Sequence, residues 1–162
     1  MTPADVFASK AGPTCHVLLD RGSNPHNLGA VARSAAYFGL DGMIVWEGPP
    51  GLFGAAARTA EGAAEHLPYW SLEDAVSFVV QAKLSGLEVL ATSSHATNSV
   101  FDWDFARPRT LWLMGHEGSG LDPALQELAD ETLSIPGSSQ VDSLNLSVAA
   151  AICFAEVYRR RA

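Results

Sequence analysis

No apolar run in this sequence is long enough to cross a bilayer. A spanning helix needs about eighteen or more consecutive apolar residues, and the longest stretches here are broken by polar residues well before that. The N-terminus, MTPADVFASKAGPT, lacks a basic segment followed by an apolar core, so it does not read as a secretory signal. A soluble, cytoplasmic protein without a membrane partner is expected. Cysteine is scarce: Cys15 and Cys153 lie in apolar contexts with no CxxC pair, and they read as buried thiols, not as a disulfide or a metal site. His26 and His116 have no third ligand spaced with them, so no metal is expected. Positive charge is also short. Ten Lys and Arg stand against eighteen Asp and Glu, for a net charge of −8, whereas a protein that neutralises many phosphates usually carries a basic surface. Contact with a polyanion must therefore be local. Arg21 and Arg33 flank a Gly/Asn turn, Arg107 and Arg109 lie close together, and Arg159, Arg160 and Arg161 end the chain. That last run reads as a solvated helix end, where cations suit the helix dipole.

What is present is an apolar fraction of 48% over 162 residues, enough for one domain with an ordinary core. The segment CHVLLD (15 to 20) is a short apolar run ending in turn residues, and it predicts a buried strand. A helix follows from Leu28 to Phe38, with Gly39 as its stop. GMIVWE (42 to 47) predicts a second strand. SLEDAVSFVVQAKLSG (71 to 86) predicts a helix with Ser71 at its N-cap, Glu73 and Asp74 in its first turn and Gly86 at its end. LEVLATSS (87 to 94), TLWLMG (110 to 115) and TLSIPG (132 to 137) predict further strands. Asp122 and Pro123 open a short helix, and a helix of about fifteen residues closes the chain. Strands alternating with helices imply a parallel α/β sheet flanked by helices. No repeat or linker divides it, so residues 1–162 are expected to form a single domain.

In such sheets ligands bind beyond the carboxyl ends of the strands. Three loops lie there: NPHNLGAVAR (24 to 33), GHEGSGLD (115 to 122) and IPGSSQVDSLN (135 to 145). All are rich in Gly, Asn and Ser, which give close backbone approach and neutral hydrogen bonds. None contains a GxGxxG followed by an acidic residue about twenty positions on, and none a GxxxxGK[ST]. The dinucleotide and P-loop readings are weak.

In its three motifs the sequence resembles the SpoU/TrmH branch of the SPOUT RNA methyltransferases. NPHNLGAVARSAAYFG is similar to the first motif, with Asn27, Gly29 and Arg33 at its marked positions. LWLMGHEGSGLD is similar to the second, with Gly115, Glu117, Gly120 and Leu121. IPGSSQVDSLNLSVAAAICFAE is similar to the third, with Ile135, Pro136, Ser143, Leu144, Asn145 and Ser147. The resemblance runs from about residue 14 to 160, with the motifs in the family's order. It implies a deep C-terminal trefoil knot, which periodicity does not reveal and general connectivity rules argue against. It also implies S-adenosylmethionine as cofactor, a ribose 2′-OH of tRNA or rRNA as methyl acceptor, and a homodimer paired across the site.

The roles it implies can be weighed against plainer ones. Arg33 alone would be a surface arginine on a helix. Within the motif it belongs to the catalytic set, and family proposals have it remove the hydroxyl proton. A guanidinium with a pKa above roughly 12 is a poor base, so a bidentate clamp on the RNA phosphate is the reading adopted here. Asn27 reads as a turn or cap residue that also supports Arg33 or the RNA. Glu117 is expected to order its loop by fixing Arg33 or a backbone amide. Ser143 and Asn145 suit helix capping, but with Ser147 they exceed what one cap needs. By resemblance, Asn145 orients the arginine or substrate and Ser143 meets the hydroxyl or its phosphate. Met114, Gly115, Gly120, Ile135, Pro136, Leu144 and Ser147 are the candidate cofactor residues. Ser139 departs from the pattern, where the family usually has glycine. Glu61 and His66, in RTAEGAAEH, read as structural or RNA-facing.

Only some fourteen residues precede the first strand, so no separate RNA-binding domain is expected. The other readings are a catalytic fragment lacking its RNA-targeting domain, an S-adenosylmethionine-binding RNA module without turnover, and an ordinary doubly wound nucleotide-binding domain with its adenine site at residues 20 to 30.

Overall fold

A computed structural model of the chain describes residues 6–7, 12–22, 24–105, 107–138 and 140–161. Its order is β1 (Thr14–Asp20), α1 (Pro25–Tyr37), β2 (Gly42–Trp46), α2 (Ala55–Ala60), a 3₁₀ turn (Ala63–Glu65), β3 (Tyr69–Leu72), α3 (Ala75–Leu84), β4 (Glu88–Thr92), β5 (Asn98–Ser99), β6 (Arg109–Met114), α4 (Pro123–Leu128), β7 (Glu131–Ser134) and α5 (Leu146–Arg161). The strands form one sheet in the order β3-β2-β1-β6-β4-β7-β5, and every pairing is parallel. All carboxyl ends therefore lie along one edge, and the loops after β1, β6 and β7 gather there.

Alternation along the strands divides the core into two layers. Val17 and Leu19 of β1 and Trp112 and Met114 of β6 pack with Leu28, Val31 and Ala32 of α1 and Cys153, Phe154 and Val157 of α5. Leu18, Leu111 and Leu113 turn to the other face, against Phe78, Val79 and Ala82 of α3. Strands apolar on both faces are what a sheet covered on both sides requires. Burial raises the thiol of Cys15 to about 11 and that of Cys153 to about 12, so both stay protonated at neutral pH. No helix among the described residues is long and apolar enough to cross a membrane.

Local chemistry sets the boundaries. Asn24 caps α1 by accepting from the amides of His26 and Asn27, at 2.9 and 3.4 Å, and Pro25 fills the first turn, where no amide partner is needed. Gly39 ends the helix with φ of 68°. Asp122 caps α4 by accepting from the amide of Ala124, with Pro123 following as expected. The expected helix at 71–86 needs correction. Residues 69–72 are a strand, the Ser71 hydroxyl donates to the Gly48 carbonyl, and Asp74 caps α3 by accepting from the Ser77 amide. An aromatic pair, Tyr69 and Trp70, favours that edge strand. The terminal RRR run is also not simply solvated. Glu156 accepts from both Arg159 and Arg160, and Arg160 donates onward to the carbonyls of Phe101 and Trp103. The expected site of strain at Ser139 lies outside the described residues.

Candidate active site

Asn145 stands immediately before α5, and its side chain has two tasks. Its Oδ1 accepts from the Ser147 amide at 2.9 Å and from the Ser147 hydroxyl at 2.6 Å, which caps the helix. Its Nδ2 donates to Glu117 Oε1 at 2.6 Å and to Asn27 Oδ1 at 3.3 Å. Glu117 Oε1 also receives the Leu146 amide at 3.4 Å, so a carboxylate sits at the positive end of α5. One residue from each of the three motifs thus meets at one point. The backbone amide fixed by Glu117 is that of Leu146; Arg33 is not among its partners.

Arg33 instead pairs with Glu61, Nη1 to Oε1 at 2.9 Å, with both side chains more than half exposed. The packing beneath explains how Glu61 comes there. Gly29 lets α1 approach α2 so closely that a Cβ would stand 2.4 Å from the Ala56 carbonyl oxygen. Glu61 then ends α2 in a left-handed conformation, φ 46°, which is uncommon for a residue with a side chain. His66 follows the 3₁₀ turn and its amide bonds the Ala63 carbonyl.

The second motif makes a closed turn. His116 and Gly120 exchange backbone hydrogen bonds at 3.0 and 2.9 Å, and Gly120 has φ of 71°. A Cβ on Gly115 would lie 2.3 Å from the Leu121 amide nitrogen, so only glycine permits the turn to fold back. Met114 is buried at the end of β6. Beyond β7, Ile135 packs against the core, while Pro136, Ser143 and Leu144 are exposed. Described residues of the loop from 135 to 144 make no backbone–backbone hydrogen bonds. A run of open amides and carbonyls beside an apolar floor fits the adenine edge and amino-acid end of S-adenosylmethionine. Among the described residues no group of three or more His, Cys, Asp or Glu is arranged to hold a metal.

Sequence reasoning missed the wall opposite the Glu117 turn. Asp20 is buried at the end of β1, takes Arg21 Nε and Nη2 at 2.8 and 3.1 Å, and accepts the Asp122 amide at 2.7 Å. Arg21 adopts φ of 51°. A shallow cleft, open to solvent, is lined by this pair together with Asn24, Asn27, His116 and Glu117. The one signal for it in the sequence was an arginine beside an acid at a strand end.

A parallel α/β sheet with its polar side chains gathered in three loops beyond one edge defines a ligand-binding α/β domain. The chain belongs to the SpoU rRNA Methylase family, which matches residues 14–155. It is 39% identical over 144 residues to a 23S rRNA (guanosine-2′-O-)-methyltransferase RlmB of a Burkholderia species, a match covering 88% of this chain and 58% of the relative. The SpoU methyltransferase AviRb of Streptomyces viridochromogenes, solved with AdoMet, superposes with a TM-score of 0.82 at 30% identity, over 97% of this chain and 61% of that one. A protein solved for 2-OH methylation of C/U34 on tRNA superposes with a TM-score of 0.77 at 28% identity, over 92% of this chain and 97% of that one. The first curated relatives are longer, and the chain spans from 46% to 61% of their length. The seven-stranded parallel sheet is the fold of these SPOUT neighbours, and the trefoil knot is implied by membership of the family.

Proposed function

We propose that the protein transfers a methyl group from S-adenosylmethionine to a ribose 2′-OH of tRNA or rRNA, and that it works as a cytoplasmic homodimer. The observation that carries this reading is the meeting of Asn27, Glu117 and Asn145 at the carboxyl edge of the sheet. It joins the three motifs into one polar centre beside a loop of open backbone groups.

When bound, S-adenosylmethionine supplies an electrophilic methyl on a sulfonium. Backbone groups of Met114, Gly115, Gly120, Ile135, Pro136 and Leu144 hold it, and Ser147 secures the cap beneath. The other side chains manage the acceptor. Arg33 clamps the RNA phosphate through its guanidinium, exchanging the exposed Glu61 carboxylate for it, which costs little because such pairs are worth at most about 1 kcal/mol. A phosphate oxygen held there accepts the hydroxyl proton, a task unsuited to the guanidinium itself. Glu117 and Asn145 keep the two loops in register, and Ser143, exposed at the rim, meets the hydroxyl or its phosphate.

Tyr37 of α1 and Val148 and Tyr158 of α5 are exposed, and the ring of Tyr158 lies 6.1 Å from that of Phe38, which joins the two helices into one surface. That surface supports the dimer. Sedimentation at micromolar concentration should give twice the 17.1 kDa chain mass, and a monomer alone would count against pairing.

The reaction is tested by incubating the protein with methyl-labelled S-adenosylmethionine and bulk tRNA or rRNA, then digesting to nucleosides. Label should appear in 2′-O-methylnucleosides. Label confined to bases would overturn the reading.

A further inference from the structure

The cleft beside the Glu117 turn shares Asn27, Glu117 and Leu146 with the site described above, but its Arg21 wall has no part in the chemistry described so far and is more elaborate than a loop needs. Arg21 is held on two sides. Asp20, itself buried, takes Nε and Nη2 in a bidentate pair, and Asp122 stands 3.7 Å from Nη2. One face of the guanidinium lies over the ring of Trp46, 5.5 Å from its centre. The hydrogen bonds it donates to the Asp20 carboxylate raise the Arg21 pKa further above its ordinary value, so its charge is permanent. The side chain is nevertheless 40% exposed and lines the cleft. Arg21 also adopts a left-handed backbone, φ 51°, at a conformational cost that side-chain residues rarely bear.

Donors converge on the same space. His116 Nδ1 accepts the Gly118 amide at 3.1 Å, which places the ring proton on Nε2 and makes that edge a donor. The Asn24 oxygen is engaged in capping α1, so what this side chain can offer the cleft it lines is its amide NH₂ donor. A planar cation held in place by carboxylates and still part exposed, with donors of Asn24 and His116 on the same wall, suits a planar ligand with acceptor edges. RNA bases that leave the stack are recognised in this way, on aromatic rings or arginine planes and by hydrogen bonds to their edges.

We propose that this cleft is a nucleobase subsite, in which a base of the RNA strand stacks on Arg21 while His116 and Asn24 read its edge. The position agrees with the sheet order. The cleft lies on the β1 side of the Glu117 turn, and the loop read as the cofactor site follows β7, beyond β4 on the other side. Base and cofactor would then approach Glu117 and Asn145 from opposite sides. The inference rests on the chain being an RNA-modifying protein, but its test does not.

The test is an NMR titration of the ¹⁵N-labelled chain with each of the four nucleoside 5′-monophosphates, with inorganic phosphate and S-adenosylhomocysteine as separate arms. At least one nucleotide should give saturable shifts at Arg21 Nε, the Trp46 indole and the amides of Gly22, Asn24 and His116. Arg21→Lys, which keeps the charge and loses the plane, should weaken that binding at least about fivefold. The proposal fails if no nucleotide moves these resonances, if inorganic phosphate moves them equally, or if S-adenosylhomocysteine occupies this cleft. It also fails if the lysine variant binds like the parent. Methyl transfer to bulk RNA is measured beside it: shifts without transfer would sink the enzyme reading and leave the subsite, whereas transfer without shifts would do the reverse.

Discussion

The two ends of α5 use similar side chains for opposite purposes. At the N-terminal end, Asn145 and Glu117 are exposed, and their hydrogen bonds cross between the loops that we propose admit ligands. At the C-terminal end, Glu156 is 6% exposed and holds Arg159 and Arg160, while Arg160 reaches the carbonyls of Phe101 and Trp103 and lies 5.8 Å from the Trp103 ring centre. The first network can open at small cost because water replaces its partners. The second cannot, because breaking it strands a carboxylate away from water. One helix therefore carries an adaptable site at one end and a fixed anchor at the other.

The largest effect expected of any substitution is at Arg33. Arg33→Ala should lower methyl transfer at least about a hundredfold, since a charge-assisted clamp on the substrate disappears, while S-adenosylhomocysteine affinity stays within a few fold. Its melting temperature should hardly move, because the pair with Glu61 is exposed. A large loss of cofactor affinity would show that Arg33 belongs to the cofactor side.

At the anchored end the effect should fall on stability. Hydrogen bonds from Arg159, and next from Arg160, hold Glu156 at about 2, below its ordinary 4.5. A carboxylate depressed in the folded state adds stability that is fully present above about pH 4.5 and is lost as pH falls through about 2. Glu156→Gln should cost about 2 kcal/mol at pH 7, and the gap between the two proteins should close over that acid range. Chemical denaturation at several pH values measures it. A gap independent of pH would mean that the anchor is not electrostatic, and a loss of activity per folded molecule would erase the contrast between the ends.

Asn145→Ser separates the cap from the site, since serine caps nearly as well but cannot reach Glu117 and Asn27 with an amide. Stability should stay within about 0.5 kcal/mol, with methyl transfer reduced about tenfold. If transfer survives unchanged, Asn145 is a cap and nothing more. Smallest of all, Glu61→Gln should alter stability by less than about 0.5 kcal/mol, as read from the denaturation midpoint.

Where chain-local chemistry decided the outcome, the sequence was a good guide. Gly39 and the Asp122–Pro123 pair carried their boundaries in adjacent residues, and the strands of the sheet centre were continuous apolar runs. β3 was not legible because Ser71 and Asp74 are both good caps only three residues apart, and a four-residue edge strand has too little alternation to compete. The first helix began at Pro25, before the expected Leu28, with Asn24 and not Asn27 as its cap. α2 was hidden in a run of alanines with no periodic face. The motif residues were visible through family resemblance, but their partners were not. Nothing local links Arg33 to Glu61, and Arg160 reaches carbonyls more than fifty residues away. Arg21 was hidden for another reason, since its importance lies in a backbone conformation that arginine rarely adopts.

The most direct measurement is a calorimetric titration of the chain with S-adenosylhomocysteine, repeated on Gly115→Val. The parent should bind at a single site with micromolar affinity, about −8 kcal/mol, and the variant should not bind, because its side chain collides with the backbone of the turn at Gly120 and Leu121. Absence of binding by the parent, or equal binding by the variant, would contradict a cofactor site built on the Gly115 turn and the loop before α5.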